Sequence, residues 1–395
     1  MHSPLIKKEA ISKDNDMFSL TEEQKFIQKT AADFAAKVLK SRAKELDEKE
    51  VFPVNEIKQL ASLGFMGMTI PEEYGGSNAD SVALSLSTME IAKVCASTAI
   101  TMCVTNMAAE ILYRFGNEKQ RRKYLKRLCS GEGISGSFAI TESSAGSDVA
   151  SIKTSGKKVD GGYILNGAKL FITSGEYSCV NIVFAVTDNT ADKKNKLSAF
   201  IVEKGMNGFT IGKREEKLGV RGSNSVEEIF EDCFVPDENL LSKEGEGFKI
   251  AMTALDGGRI NVASQSVGVA LGALEEAVAY SKERVQFGAP ISSFQAIKWM
   301  LADMATEIDA ARLLTLRAAY LKDNKLPFSK EASMAKYYAS ETAVKASIKA
   351  VQVFGGYGYT KEYPVERIMR DARVLTIYEG TSEVQKMVIA RHIFK

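Results

Sequence analysis

The sequence has 395 residues, is 45% hydrophobic and 26% charged, and carries 52 Lys and Arg residues against 50 Asp and Glu residues. This composition is typical of a globular protein with room for two or three domains. It excludes a disordered chain, a membrane-spanning chain and a basic nucleic-acid-binding surface, because the sequence contains neither a long uncharged apolar run nor a charge excess.

The first 17 residues are interpreted as an N-terminal extension without a targeting signal. They lack an apolar segment and contain Glu9, Asp14 and Asp16 but no Arg, unlike a secretory or transit peptide. Five scattered cysteines without a C-x-x-C pair favour a reducing compartment and argue against disulfides or a zinc site. We therefore expect the cytoplasm for a bacterial chain and the mitochondrial matrix for a eukaryotic one.

Residues 18–135 are predicted to form a helical domain. Thr21 and Gln24 have the spacing of a capping box, and helical apolar patterns follow in "FIQKTAADFAAKVLK" and "VALSLSTMEIAKVCASTAITMCV". The segment "GEGISG", residues 131–136, matches the pattern G-x-G-x-x-G. It follows a helical run and precedes an extended one, which reverses the strand-then-helix order of a dinucleotide fold. We therefore reject it as a phosphate-binding loop.

Residues 136–240 are predicted to form a β domain. Short β-rich runs separated by Gly, Asn and Asp, without helical patterns between them, favour a mostly antiparallel sheet or a small barrel. Two segments, "FAITESSAGSD" (138–148) and "KLFITSG" (169–175), offer hydroxyls and open backbone N–H groups. These groups suit a flavin edge or a pyrophosphate, although an ordinary Ser/Gly loop has the same composition.

Residues 241–395 are predicted to form a helical bundle. Apolar residues recur at three-and-four spacing and are expected in the core: Leu271, Leu274, Val278, Ile297, Leu301, Met304 and Ile308. The whole sequence has only two histidines, His2 and His392. A Ser-His-Asp triad or a histidine-rich metal site cannot readily be built from them. Acid–base chemistry must then fall to a carboxylate, Tyr, Lys or Cys.

Glu379 lies in "TIYEGTSEVQ", residues 376–385, between an apolar run and a predicted helix start. Ser382 and Gln385 have capping-box spacing, and Gly380 marks a bend just before them. The helix dipole alone also favours an acidic residue at this place, without any chemistry. From the local pattern, Glu379 is either a helix-end charge or a reactive carboxylate on a loop.

Six segments, taken in order, closely resemble the acyl-CoA dehydrogenase family, and the short-chain, butyryl-CoA-type members most of all. They are "FAITESSAGSD", "KLFITSG", "LDGGRINVASQSVG", "RVQFGAPISSFQ", "QVFGGYGYTKEYPVERIMRDA" and "IYEGTSE". The resemblance covers residues 18–395. It implies an α+β fold with an N-terminal all-α domain (18–135), a middle, mostly antiparallel β domain (136–240) and a C-terminal four-helix bundle (241–395). It also implies FAD as the cofactor.

By this resemblance, Glu379 is the catalytic base of a β-oxidation enzyme of fatty acid metabolism. It removes the pro-R α-proton of a short acyl-CoA while the β-hydrogen leaves as hydride to flavin N5, which gives a trans-2-enoyl-CoA. The backbone N–H of Glu379 polarises the thioester carbonyl together with a ribityl hydroxyl. The carboxylate must be desolvated for this reaction, and burial raises its pKa. The expected electron acceptor is an electron-transferring flavoprotein.

The same resemblance implies FAD and substrate groups. Residues expected at the isoalloxazine end are Phe138, Ile140, Thr141, Ser147, Phe171, Ile172 and Thr173. Residues expected at the phosphates and adenine, on a neighbouring subunit, are Arg284, Phe287, Gln295, Gln352, Gly355 and Gly356. Thr381, Ser382 and Glu383 match a phosphate contact at a helix N-terminus. The expected substrate residues are Ser147, Asp256, Arg259 and Gly380. Shared FAD sites imply at least a homodimer, and homotetramers are usual in the family.

Three positions bear on this assignment. The family's usual Pro-Gly or Pro-Asn is Ser143-Ser144 here, a change that can loosen the loop near FAD. The family's common Trp is Phe171, as in butyryl-type members. Relatives with their base on the "LDxxR" helix carry an acid before the Arg, and here that residue is Gly258. This last difference leaves Glu379 as the expected base.

Other functions remain as alternatives. A flavin monooxygenase or oxidase on the same scaffold is disfavoured, because monooxygenase relatives usually lack the glutamate of "YEG". Nitroalkane oxidases carry Asp there, and peroxisomal acyl-CoA oxidases are much longer. A non-enzymatic acyl-CoA-binding or flavoprotein-binding subunit would have no use for Glu379. Branched or aromatic short acyl groups also remain open. The segment "TAITMCVTNMAAEIL" supplies Met102 and Met107 to the acyl pocket, but spacing does not show which side chains close it.

Overall fold

The structure is a computed structural model that describes residues 19–192 and 194–394, so the N-terminal extension lies outside the described residues. The first part of the chain is helical, as predicted. Thr21 and Gln24 form the predicted capping box, with backbone–side-chain distances of 3.0 and 3.1 Å. The helices are α1 Glu22–Phe34, which continues through a π-helical turn Ala35–Leu39, α2 Lys40–Glu48, α3 Val54–Ser62, α4 Ser81–Val94, α5 Ala96–Phe115 and α6 Glu118–Cys129.

The middle of the chain forms one sheet. Its strands are β1 Ser135–Ala139, β2 Ser155–Val159, β3 Gly162–Thr173, β4 Ser178–Val186, β5 Leu197–Val202, β6 Phe209–Arg214, β7 Ser225–Pro236 and β8 Leu240–Leu241. Their order is β6-β7-β3-β2-β4-β5-β8, and β1 lies beside β4. Among the described strands of this sheet, β4 pairs in parallel with β1 and, at one residue pair, with β2, while the remaining pairings are antiparallel. The prediction of a mostly antiparallel sheet is confirmed.

The C-terminal part returns to helices. They are α7 Gly247–Glu283, α8 Gln295–Asp323, α9 Ser329–Phe354, α10 Val365–Val374 and α11 Ser382–Ile393, with a short hairpin β9 Val285–Gln286 and β10 Ala289–Pro290 after α7. An alanine stripe lets α9 approach its neighbours closely, and every member is at most 1% exposed: Ala332, Ala335, Ala339, Ala343, Ala346 and Ala350. The predicted core residues Met304 and Ile308 are buried, and Leu271, Leu274, Ile297 and Leu301 pack against the same core.

Ionic contacts join the three parts of the chain near α10. Arg370 donates to the carboxylate of Asp47 of α2 from both terminal nitrogens of its guanidinium, at 3.0 and 2.7 Å. The next residue, Asp371, accepts the backbone N–H of Val220, a residue of the loop between β6 and β7, at 2.5 Å. The segment that follows α10 and carries Glu379 is therefore anchored to all three parts. In the described part of the chain, none of the helices combines the length and apolarity needed to cross a bilayer.

Candidate active site

Glu379 and Gly380 form a left-handed turn between α10 and α11. Their φ angles are +54° and +88°, a region that costs free energy for a glutamate but not for a glycine. The carbonyl oxygens of both residues accept hydrogen bonds from the amide of Gln385, at 3.1 and 2.8 Å. The carbonyl of Gly380 also accepts one from the ammonium of Lys336, at 2.7 Å. The turn is thus held through its backbone, which leaves the Glu379 side chain free.

The Glu379 side chain is half-buried, and its carboxylate oxygen Oε2 is buried without a direct partner. Its Oε2 atom makes no hydrogen bond within the described residues. Burial raises the pKa of Glu379 to about 7, while the positive charges of Arg259 and Lys336 act in the opposite direction. A carboxylate with this pKa and an open lone pair is suited to take a proton from a ligand at neutral pH.

Gly258 of α7 provides the space for this carboxylate. A Cβ atom on residue 258 would lie 2.6 Å from Oε2 of Glu379 and 3.3 Å from the sulfur of Met107. The first distance is shorter than van der Waals contact, so a side chain at 258 and the observed carboxylate exclude each other. The predicted pocket residue Met107 therefore lies near the carboxylate, whereas the other, Met102, is fully buried in the helical core.

Asp256 and Arg259, two predicted substrate residues, lie on the same part of α7. The guanidinium of Arg259 is 95% buried and donates to Asp256 and, at 3.4 Å, to the hydroxyl of Ser333. Its Nε atom has no partner in the described structure. The structure therefore brings Asp256, Arg259, Glu379 and Gly380 together. The fourth predicted substrate residue, Ser147, lies exposed on the loop after β1.

The predicted isoalloxazine residues meet at one edge of the sheet. The backbone N–H of Leu170 donates to the carbonyl of Thr141 at 2.8 Å, which joins the loop after β1 to the end of β3. The pairing of β3 with β7 shifts at this point, and Phe171 adopts a φ of +58° with 61% of its surface exposed. Of the other predicted residues, Ile140 and Ile172 are buried, Phe138 packs against Phe184, and Thr173 ends β3. This edge offers an aromatic face beside hydroxyl and backbone groups.

A buried ion pair lies beneath this edge. Lys169 is fully buried, and its ammonium lies 2.7 Å from the carboxylate of Glu142. The same carboxylate accepts the backbone N–H groups of Lys153 and Thr154 at 2.6 and 2.9 Å. Two backbone hydrogen bonds of 3.1 Å between Glu142 and Ala145 close the loop around Ser143-Ser144. The Ser-Ser pair thus sits at the tip of a closed turn.

The predicted phosphate and adenine residues lie on another surface. Arg284 ends α7 about 38 Å from Arg259, at about 1.5 Å per residue. Its guanidinium lies 5.5 Å from the ring centroid of Tyr357. Arg284, Gly355 and Gly356 line an open cleft of about 470 Å³. Phe287, Gln295 and Gln352 are exposed near the same helix ends, Phe287 almost completely. Within one chain, this group therefore lies far from Arg259 and the predicted substrate residues around it.

The start of α11 differs from the sequence prediction. Thr381, not Ser382, is the N-cap, and its hydroxyl accepts the backbone N–H of Val384 at 3.3 Å. The hydroxyl of Ser382 instead donates to Glu341 of α9 at 2.6 Å, and Gln385 turns back to the Glu379–Gly380 turn. The predicted capping box is wrong because both of its members have tertiary or turn partners. Glu383 lies exposed in the first turn.

A polar pair lies beyond the carboxylate along α7. Gln265 is two turns after Gly258 and so lies on the same face, about 10 Å further along the axis. Its amide donates to the carbonyl of Ala96 at 3.0 Å and accepts a hydrogen bond from the hydroxyl of Tyr378. Both groups are thus fixed by their partners.

Sequence reasoning missed three residues of this arrangement, Lys336, Glu142 and Lys169, and gave Gln385 a capping role instead of its contact with the turn. Glu142 and Lys169 lie within the segments 138–148 and 169–175, but nothing in the local pattern distinguishes a buried charge from a solvated one. Lys336 does carry a signal, because it is flanked by the buried alanine stripe of α9. A lysine in such a stripe indicates a specific buried partner.

The chain matches three family models in order. They describe the N-terminal, middle and C-terminal domains of acyl-CoA dehydrogenases and match residues 21–132, 137–233 and 245–394. The chain is 46% identical over 379 residues to a short-chain specific acyl-CoA dehydrogenase of Clostridium acetobutylicum, covering 96% of this chain and 100% of that one.

Two solved structures are also similar. Butyryl-CoA dehydrogenase from Megasphaera elsdenii superposes with a TM-score of 0.93 at 45% identity, covering 96% of this chain and 100% of that chain. A chain from a structure of the electron transferring flavoprotein of Acidaminococcus fermentans superposes with a TM-score of 0.94 at 48% identity, covering 96% and 99%. These similarities extend through the whole described fold.

Proposed function

The chain belongs to the acyl-CoA dehydrogenase family of oxidoreductases, and we propose that it converts a short-chain acyl-CoA thioester to the trans-2-enoyl-CoA, with Glu379 as the base. The observation that carries this proposal is the buried, unpartnered Oε2 atom of Glu379 in the space left by Gly258. A carboxylate oxygen shielded from water and free of partners can act as the base for a weak carbon acid, such as the α-carbon of a thioester.

Glu379 would take the α-proton on Oε2. Its pKa of about 7 leaves a large ionised fraction at neutral pH while making it a stronger base than a solvated carboxylate. The left-handed turn holds the backbone of Glu379, whose N–H would polarise the thioester carbonyl. Both contributions come from one residue, because the contacts that hold the Glu379–Gly380 turn use its carbonyls and leave the Glu379 carboxylate free.

Asp256 and Arg259 would bind the substrate beside the base. The buried Arg259 offers an unpartnered N–H, and its charge helps to keep Glu379 ionised. Asp256 is held by Arg259 and, at 2.9 Å, by the hydroxyl of Ser329. Gly380 would let the thioester approach the turn closely.

The residues present fit FAD in two groups. The exposed Phe171, with a positive φ next to Thr141 and Thr173, presents a flat contact and hydrogen-bonding groups to a ring system. Gly355 and Gly356 border open space, and Arg284 lies in the same cleft, which suits a phosphate that approaches backbone N–H groups. When bound, FAD supplies the hydride acceptor for the β-hydrogen.

The distance between these groups supports a shared cofactor site. Arg259, beside the base, and Arg284 are separated by about 38 Å of continuous helix, which supports a site in which the phosphate-binding group of one subunit completes the active site of another. We therefore propose a homodimer at least, and a homotetramer as the expected assembly. An electron-transferring flavoprotein is the proposed acceptor, supported by the similarity to a chain from the Acidaminococcus structure.

Short substrates are favoured by Gln265. An acyl chain that leaves the carboxylate along α7 would meet the Gln265–Tyr378 pair, whose polar groups already have partners. Alkyl carbons packed against this hydrogen-bonded amide and phenol would gain little hydrophobic free energy. A longer chain would have to displace both groups and break their hydrogen bonds. Butyryl-CoA is accordingly the proposed substrate.

The test is an anaerobic titration of the purified protein with butyryl-CoA, followed at about 450 nm, where oxidised flavin absorbs. We expect a yellow protein whose absorbance bleaches with the thioester. A yellow protein that bleaches only with longer or branched thioesters would refute the short-chain proposal. A colourless protein that does not take up FAD would refute the proposed function.

A further inference from the structure

Lys336 is a buried lysine directly behind the turn that carries Glu379. Its side chain extends from α9 and is fully buried, and its ammonium donates to the carbonyl of Gly380 at 2.7 Å. Lysine is almost never fully buried unless it is paired, because removing an ammonium from water carries a large free-energy penalty. Burial lowers the pKa of Lys336 to about 8, so it remains mostly charged at neutral pH. A charge retained at this cost requires an explanation.

Hydrogen bonding alone does not explain it. The carbonyl of Gly380 already accepts a hydrogen bond from the amide of Gln385 at 2.8 Å, and Ser382 ties the same segment to Glu341 of α9 at 2.6 Å. Neutral donors therefore hold the turn on both sides. What Lys336 adds is a positive charge behind a carbonyl of the turn.

The charges around the carboxylate are few. Arg259 from α7 and Lys336 from α9 are the cations that act on Glu379. The thiol of Cys103 from α5 and the hydroxyl of Tyr378 also lie within electrostatic reach of the carboxylate. Facing Lys336 are the acids Glu379, Glu341 of α9 and Glu383 of α11, and the cation Arg259 of α7.

We propose that Lys336 is a positioning residue for Glu379: it fixes the left-handed Glu379–Gly380 turn through the Gly380 carbonyl, and its positive charge keeps the buried carboxylate ionised. This inference rests on the proposed role of Glu379 as the base. Lys336 itself does not need to touch the substrate. Lys336 is expected to increase the fraction of enzyme in which Glu379 is ionised and to keep the Glu379–Gly380 turn ordered.

The test compares three variants at one position with a control on the same helix. Lys336→Gln keeps an N–H donor but removes the charge, Lys336→Met removes both, and Lys336→Arg keeps both. The control is Lys345→Gln, because Lys345 is exposed on α9. For each FAD-loaded protein, the rate of flavin reduction by butyryl-CoA is measured in a single turnover across a pH series centred on neutrality.

We expect the rate of the parent protein to rise with pH as Glu379 loses its proton. In Lys336→Gln and Lys336→Met this rise should move to higher pH by about one unit or more, because a nearby cation no longer favours the charged carboxylate. Well below the rise, that shift is a roughly tenfold lower rate. Lys336→Arg and Lys345→Gln should keep the parent profile. A parent-like pH profile in Lys336→Gln would overturn the inference.

A second measurement does not depend on turnover. Hydrogen–deuterium exchange of residues 376–385 should become faster in Lys336→Met and remain parent-like in Lys336→Arg and Lys345→Gln. If Lys336→Met does not fold, Lys336→Gln decides the role of the charge. A parent protein that no acyl-CoA reduces would refute the proposed function. A parent protein that is reduced, with variants that share its profile and exchange rate, would refute only the role of Lys336.

Discussion

The carboxylate of Glu379 occupies the volume that a side chain on Gly258 would fill, since a Cβ there would lie 2.6 Å from Oε2. Gly258→Ala should therefore push the carboxylate out of its place and slow flavin reduction by butyryl-CoA at least tenfold, with FAD still bound. The neighbouring Gly257→Ala is a matched control, because its Cβ would lie 3.4 Å from the Lys322 ammonium, an ordinary contact. Equal rates in the two variants would contradict the steric argument.

Glu379→Gln should remove the base without removing the site. The amide keeps the size of the carboxylate, so the protein should bind FAD and butyryl-CoA as before. Loss of a positioned base typically slows a reaction by about 10²–10⁴-fold. Stopped-flow absorbance measures the reduction rate, and equilibrium dialysis measures butyryl-CoA binding. Undiminished reduction would show that another residue is the base.

The reaction should also depend on pH in a defined direction. Burial raises the pKa of Glu379 to about 7, and only the ionised form can accept a proton. The rate of flavin reduction should therefore increase as pH rises through about 7 and become constant above it. A single-turnover series at constant ionic strength checks this. A rate that is already constant from pH 5 upward, about the ordinary range of a solvated carboxylate, would be inconsistent with a buried base.

The Glu142–Lys169 ion pair should be important for stability. Lys169→Met leaves the nearly buried Glu142 carboxylate without its cation, a change that typically costs about 3–5 kcal/mol. Urea unfolding of the FAD-free protein measures this cost, and FAD affinity should weaken as the loop that carries Thr141 loosens. Lys158→Met is the control, since Lys158 pairs with Asp237 on the surface, where such pairs contribute about 0–1 kcal/mol. Similar losses of unfolding free energy in Lys169→Met and Lys158→Met would show that the buried pair contributes no more to stability than the surface pair.

Gln265→Ala should extend the acyl pocket. The ratio of specificity constants for octanoyl-CoA and butyryl-CoA is expected to increase by about tenfold or more, because a few methylenes in an apolar pocket contribute about 1–3 kcal/mol. Tyr378→Phe is the control: it removes the hydroxyl that binds Gln265 but keeps the volume of the ring. An unchanged ratio in Gln265→Ala would show that other side chains close the pocket.

The fold and the place of Glu379 could be predicted because their signals are local or repetitive. Gly380 and the start of α11 put Glu379 on a loop, and the change from helical to β-rich patterns separates the middle of the chain from its two ends. The details that failed depend on distant partners. Ser382 binds Glu341, 41 residues earlier, and this contact moves the N-cap to Thr381.

The buried lysines show the same limit more strongly. Lys336 binds a carbonyl 44 residues later, and Lys169 binds a carboxylate 27 residues earlier. A single lysine in a sequence is normally interpreted as a surface residue, because charged side chains are seldom buried. Only the tertiary contacts show that Lys336 holds the Glu379–Gly380 turn and that Lys169 is paired with Glu142.

The continuous helix α7 carries Gly258 and Arg259 near one end and Arg284 at the other. An insertion of one residue between them would rotate the two ends against each other by about 100° and separate them by about 1.5 Å, whereas seven residues would nearly restore their relative direction. Substitutions on the exposed face of α7 change neither the relative rotation nor the separation of its two ends. The number of residues in α7 is therefore more tightly constrained than their identity, and length changes in this family member are expected in the loops instead.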